Sequence, residues 1–206
     1  MENISDIAVV QVLVEGEKDI KDIYKIVAGG THTVLLKNDG TVWSWGLNDY
    51  GQLGIGVSST SSSNGNYRRT GAVQVKLDAS TMLENVKDIS TTIRTSYALT
   101  KDGILYSWGR NEEGELGSNV SISSTAVSNY PVKVQRRYKS ELETNIVKLI
   151  GESANSVTGY AVRKDGSIIG FGRIKNGQIL DGGLYTDPRG YAEDILQSYL
   201  EIILMQ

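Results

Sequence analysis

One number constrains this chain more than any other, a step of 63 residues. Lys37-Asn38-Asp39-Gly40-Thr41-Val42-Trp43-Ser44-Trp45-Gly46 is repeated in kind by Thr100-Lys101-Asp102-Gly103-Ile104-Leu105-Tyr106-Ser107-Trp108-Gly109. Arg163-Lys164-Asp165-Gly166-Ser167-Ile168-Ile169-Gly170-Phe171-Gly172 repeats it again. Gly40, Gly103 and Gly166 stand 63 apart, and so do Trp45, Trp108 and Phe171. Gly46, Gly109 and Gly172 keep the step, as do Gly51, Gly114 and Gly177. Self-similarity at one fixed period is the mark of stacked structural units.

Each unit reads as four short strands. The first is Tyr24–Ala28, Asn85–Ile89 or Ile146–Ile150, and the second is Thr33–Leu36, Tyr97–Leu99 or Tyr160–Val162. An Asp-Gly pair follows, the signal of a type I′ hairpin turn with positive φ at both central residues. The third strand runs from that turn to the aromatic-Gly pair. A polar loop leads to the fourth, Ala72–Val75 or Pro131–Val134. Such a pattern predicts an all-β chain, a partial β-propeller of about three four-stranded blades with flanking strands. The units fall at 23–85, 86–145 and 146–198 within a single repeat domain, 1–206. Val9-Val10-Gln11-Val12 lies 63 residues before Ala72-Val73-Gln74-Val75, so residues 7–14 close a preceding blade, while 199–204 open a further one. For the tail, 191–205, a short C-terminal helix competes with strands, because Ala192, Ile195, Leu196, Tyr199, Leu200 and Ile203 also fit a helical stripe.

Composition removes whole classes of chemistry. With no cysteine and one histidine, disulfides, cysteine nucleophiles and Cys/His zinc sites within one chain are excluded. A formal charge of −3 lacks the basic field of a nucleic-acid binder, and none is expected as a partner. No segment reaches the roughly 18 apolar residues of a membrane span. The start is acidic and lacks the order of a secretory signal, which leaves a cytoplasmic address or an extracellular one within a longer secreted protein. No cofactor is implied.

Each candidate residue also has a plain structural role. His32, beside a glycine pair at a strand start, is expected to hold a structural hydrogen bond rather than act as a base. Asp39, Asp102 and Asp165 recur beside glycine and read as turn formers. Trp45, Trp108 and Phe171 are expected between blades, with Trp43 buried on the same face as Trp45. Gly51-Gln52-Leu53-Gly54-Ile55-Gly56 has neither the context nor the Lys-Ser/Thr ending of a phosphate loop. Asn48 and Asp49 with Glu112, Glu113 and Glu115 make an acidic loop edge that reads as solvated, with a cationic partner or a weak calcium site as alternatives. Arg68-Arg69 and Arg136-Arg137-Tyr138-Lys139 read as rim charges, with a phosphate or acidic-partner patch as the alternative. Asn3 and Asn119 sit in weak glycosylation sequons.

The run Ile26-Val27-Ala28-Gly29-Gly30-Thr31-His32-Thr33-Val34-Leu35-Leu36-Lys37-Asn38-Asp39-Gly40, then Val42-Trp43-Ser44-Trp45-Gly46-Leu47-Asn48-Asp49-Tyr50-Gly51-Gln52-Leu53-Gly54, resembles a repeat of the regulator of chromosome condensation family. The second copy keeps Asp102-Gly103, Trp108-Gly109 and Gly114-Glu115-Leu116-Gly117 but has Thr95 in place of histidine. The third is eroded, with Phe171 for tryptophan and Ile179 for leucine. The resemblance implies a propeller, usually of about seven four-stranded blades. It implies protein binding by loops on a rigid ring: the namesake is a nucleotide-exchange factor for a small GTPase and binds chromatin, and a bacterial relative grips β-lactamases.

The expected function is a noncatalytic protein-interaction module. Its partner would meet the loops after the third strands: Asn48, Asp49, Tyr50 and Gln52; Asn111, Glu112, Glu113 and Glu115; Lys175 and Asn176. Alternatives are nucleotide exchange on a small GTPase and a glycan-binding or carbohydrate-active propeller. At 63 residues per unit, 206 residues give about 3.3 repeats, against the roughly 4–8 blades a ring needs. A homodimer or membership of a longer repeat chain is therefore expected.

Overall fold

A computed structural model of the chain describes residues 20–118, 120–135, 144–150, 156–173 and 189–195, the last as backbone. Sheet 1 holds β1 (Ile23–Ala28), β2 (His32–Lys37), β3 (Val42–Leu47) and β4 (Arg68–Gln74). Sheet 2 holds β5 (Val86–Thr91), β6 (Thr95–Thr100), β7 (Leu105–Arg110) and β8 (Val127–Lys133). Sheet 3 holds β9 (Ile146–Ile150), β10 (Thr158–Arg163), β11 (Ile168–Gly172) and β12 (Arg189–Ile195). All three are four-stranded antiparallel meanders in chain order. β12 settles residues 191–195 as strand, paired to β11, and not as helix. The expected strands at 7–14 and 199–204, the rest of the tail, and Asn3, Asn119 and Arg136–Lys139 lie outside the described residues.

The Asp-Gly hairpins form, but not with the turn expected. Gly40 N–H bonds back to Lys37 C=O at 3.0 Å and Lys37 N–H to Thr41 C=O at 3.0 Å. Gly40 has φ 88°, whereas Asp39 is not at positive φ. This is the three-residue hairpin loop, in which only the last residue is left-handed and a glycine bulge follows the turn. Aspartate precedes glycine for a different reason: Asp39 Oδ1 accepts from Thr41 N–H (2.9 Å) and Oγ1 (2.7 Å), closing the turn from the side. Asp165 does the same with Ser167. These bonds hold both carboxyls below their ordinary range.

Neighbouring sheets meet through their first and second strands, β1 and β2 against β5, then β5 and β6 against β9. The first strands therefore line the inner side of a fan and the fourth strands its rim, as in a propeller. One apolar cluster joins Val27, Val34, Leu36, Val42 and Val75 of the first repeat to Ile89, Ala98, Tyr106 and Trp108 of the second. A second joins Tyr97, Leu99, Leu105 and Val134 to Leu149, Ala161, Ile169 and Phe171. On the inner side, Lys25 Nζ reaches Asp88 Oδ1 at 3.0 Å, and Asp88 Oδ2 accepts from Leu149 N–H at 3.2 Å. One carboxylate thus links three sheets.

Trp108 is the centre of the first interface. It is fully buried, and its indole N–H donates to Gln52 C=O at 2.9 Å. Gly54 lets the ring approach, since a Cβ there would lie 2.8 Å from the indole nitrogen. Phe171 is likewise buried, but Trp45 and Trp43 are only half-buried, contrary to expectation. Among the described residues no sheet packs on their face of sheet 1. Trp108→Ala should cost about 3–5 kcal/mol in urea unfolding. Trp108→Phe, which keeps one aromatic ring but removes the N–H and some volume, should cost less, about 1–2 kcal/mol. Equal losses in the two variants would show that the indole hydrogen bond, not packing, carries the interface.

Candidate interaction surface

The loops after β3 and β7 are built from the inside by asparagine. Asn48 Nδ2 donates to Val57 C=O (2.7 Å) and Asn66 C=O (3.1 Å), while its Oδ1 accepts from Leu53 N–H (3.2 Å). Asn111 repeats this with Val120, Ser121 and Leu116. Both asparagines are fully buried. Gln52 is also buried, its Oε1 accepting from Tyr50 N–H and its Nε2 donating to Asp49 Oδ1, each at 2.8 Å. Glu115 occupies the same place one unit on, with Oε2 accepting from Glu113 N–H at 2.7 Å. Asn48, Gln52, Asn111 and Glu115 therefore cannot meet a partner. They are the frame that fixes the loops, because a polar loop packed on a sheet must satisfy its backbone groups internally. Lys175 and Asn176 lie outside the described residues.

Asp49, Tyr50, Glu112 and Glu113 remain at the surface, half-buried. They are not a free acidic edge. Arg94 Cζ stands 4.5 Å over the Tyr50 ring centroid, with its fork 4.0 Å from Asp49. Arg110 lies 5.9 Å from the same ring, pairs with Glu112 at 2.7 Å and stands 3.4 Å from Glu115. Arg173 of the third repeat donates to Glu113 of the second at 2.7 Å. The result is a stripe of alternating charge, Asp49–Arg94–Tyr50–Arg110–Glu112 and Glu113–Arg173, crossing all three units. Arg94 and Arg173 were not anticipated as site residues. Arg173 falls 63 residues after Arg110 and was legible by periodicity, whereas Arg94 aligns with Thr31 and Val157 and has no repeat signal. The Arg68-Arg69 pair does lie on the rim, with Arg68 exposed and Arg69 turned onto Gly65 C=O and Asn66 Oδ1.

His32 is buried and its Nε2 lies 2.8 Å from Ser96 Oγ. Ser96 spends its one proton on Gln52 C=O (2.9 Å), so the imidazole carries its hydrogen on Nε2 and donates to the serine. Its Nδ1 is buried without a hydrogen-bond partner, so a second proton there would be unsatisfied. Burial holds its pKa down at about 4. This His–Ser pair is closed to substrate and joins sheet 1 to sheet 2. Among the described residues no group of three or more His, Cys, Asp or Glu is placed to hold a metal.

Three meandering sheets fanned about an inner edge, the first two with a framed loop at the third-strand end, define a β-propeller repeat protein. Models of the Regulator of chromosome condensation (RCC1) repeat match residues 23–52 and 86–115, and residues 39–67 and 102–149. The chain belongs to the regulator of chromosome condensation repeat family. It is 32% identical over 155 residues to the E3 ubiquitin-protein ligase HERC2 of Homo sapiens, covering 75% of the chain and 3% of that protein. It is 30% identical over 162 residues to the regulator of chromosome condensation of Mus musculus, covering 78% of the chain and 33% of that protein. Prp20p from Saccharomyces cerevisiae shares the fold with a TM-score of 0.64 at 21% identity, over 89% of this chain and 42% of its own. Human WBSCR16 gives 0.65 at 18% identity, over 84% of this chain and 39% of its own. The chain thus spans at most about a third of these curated relatives.

Glu115 supplies a test of the frame. Arg110 and the Glu113 N–H both favour its carboxylate, but loss of water outweighs them and lifts its pKa from 4.5 to about 7. The folded chain therefore holds a proton the unfolded chain releases, and stability is lost as pH rises from 4.5 to 7. His32 has the opposite sign: stability is lost as pH falls from 6.5 toward 4. Each effect is on the order of 3 kcal/mol, and between pH 4.5 and 6.5 they offset. Glu115→Gln, the residue of the first unit, should gain about 3 kcal/mol over wild type between pH 4.5 and 7 in urea unfolding. Parallel pH profiles for the two proteins would show that Glu115 is ionised in the fold.

Proposed function

We propose that this chain is a noncatalytic protein-interaction module whose partner binds across the charged stripe on the third-strand loops. The observation that carries the reading is the framing of these loops. Buried asparagines fix their backbones while Asp49, Tyr50, Arg94, Glu112 and Arg173 stay accessible on top. A surface ordered before binding loses little conformational entropy on association. Its alternating charge selects a partner of complementary pattern more than it adds raw affinity. In the assembled protein the blades close into a ring, which holds the loops of successive units at fixed spacing.

Regulation of a small GTPase by nucleotide exchange is the second reading. It is favoured by the match to Prp20p, whose structure is described together with its binding to Gsp1p and histones. An exchange assay separates the two, since the first reading predicts no acceleration.

The surface itself is tested with any partner captured by the folded chain. Arg94→Ala combined with Glu112→Ala should weaken the complex at least about tenfold, roughly 1.4 kcal/mol. Lys101→Ala with Lys164→Ala, on the Asp-Gly turns at the opposite strand ends, should leave it unchanged. The reverse pattern would move the binding surface to the turn edge.

A further inference from the structure

Among the described strands, large apolar side chains stand exposed on the first strands of the two outer sheets and not in the middle sheet. Tyr24 is 63% and Ile26 47% exposed on β1, and Val147 is 46% and Ile150 38% exposed on β9. The register shows what these faces are. Ile26, Leu35 and Trp43 pair across sheet 1, and Thr33 pairs with Trp45. One unit on, their places are taken by Ile89, Ala98, Tyr106, Ser96 and Trp108, the residues sheet 2 presents to sheet 1. On the outward face of sheet 3, Ile150 pairs with Tyr160, and Val162 with Ile168. Tyr160, Val162 and Ile168 take the places of Tyr97, Leu99 and Leu105, which sheet 2 buries against sheet 3. The two outer described sheets therefore carry the two complementary halves of an interface that the chain builds twice within itself.

We propose that these faces dock a second copy of this chain, sheet 1 of each copy packing on sheet 3 of the other. Repeating the contact by one two-fold operation closes it, so neither face stays open. Two copies of the three described sheets make six blades, within the roughly 4–8 at which propellers close. Trp45, half-buried here, gains in the second copy the kind of contact Trp108 makes with the first repeat. One feature works against the contact. Lys148 holds the position of Lys25 and Asp88, so in the ring it faces Lys25 of the second copy, a charge that Asp88 of that copy already holds. Reversing it should strengthen the ring.

The inference rests on reading the sheets as blades and not on the loop stripe as the binding surface. Loss of the dimer would leave the partner test above intact, and the converse holds. The test is the mass of the 206-residue chain by light scattering and sedimentation across micromolar concentrations. Twice the chain mass is expected. Trp45→Arg on one face and Ile168→Arg on the other should each give a monomer with wild-type circular dichroism. Mixing the two monomers should restore a dimer, because each retains the face the other lacks; misfolded variants would not recombine. Lys148→Glu should lower the dissociation constant about tenfold. A monomeric wild type, as for a chain whose faces are covered by further repeats of a longer polypeptide, would overturn the proposal. So would a dimer that survives both arginine substitutions.

Discussion

A single backbone carbonyl, that of Gln52, is the point on which the joint between the first two sheets depends. It is buried at the seam, where an acceptor left unmade costs about 1–3 kcal/mol. Both its lone pairs are used, by the Trp108 indole N–H and the Ser96 hydroxyl, each at 2.9 Å. His32 then donates to Ser96 from the first sheet. The loop that offers the carbonyl is itself held by Asn48 and by the Gln52 side chain. Sheet packing, loop order and the histidine's protonation state are thus one connected arrangement, in which apolar burial supplies the energy and the polar relay fixes the geometry.

The second joint shows the same constraint met with different residues. Glu115 stands where Gln52 does, but the third repeat offers Phe171 and Gly159 in place of Trp108 and Ser96, and both donors are gone. The carbonyl is rescued from its own sheet, by the Tyr97 hydroxyl at 2.9 Å. Tyr97 stands where the first unit has Val34, and burial drives its pKa upward, so it remains a donor. Its ring meets Phe171 at 5.2 Å between centroids. Phe171 also fills the space of the missing side chain, since a Cβ on Gly159 would lie 2.3 Å from it. What looks like erosion in the third copy leaves the carbonyl acceptor in place and changes the donor and the packed volume together.

The strands and their grouping were legible because 63-residue periodicity and alternation act on every unit alike. The turn type was not. Asp-Gly marks a hairpin but not its loop length, and here a three-residue loop leaves only Gly40, Gly103 and Gly166 at positive φ, even at Asp102, where Ile104 offers no hydroxyl. Four of the residues expected on the candidate loops lie beneath their surface. Asn48, Gln52, Asn111 and Glu115 look like polar surface groups in sequence, yet their amides and carboxyl serve buried backbone. The acidic edge is half of a stripe whose basic half comes partly from the next repeat, Arg94 to Asp49 and Arg173 to Glu113. Arg94 in particular is brought to Tyr50 by the approach of two sheets, which no local pattern encodes.

The seams make the three sheets one cooperative body, with the middle sheet as its most stable part. Native-state hydrogen exchange measures this directly. The amides of β5–β7 should exchange only through global unfolding, at one shared free energy. Trp108→Phe should lower protection in β2 and β6 together, across the seam. Three sheets that exchange independently, with Trp108→Phe felt in sheet 2 alone, would contradict that cooperativity.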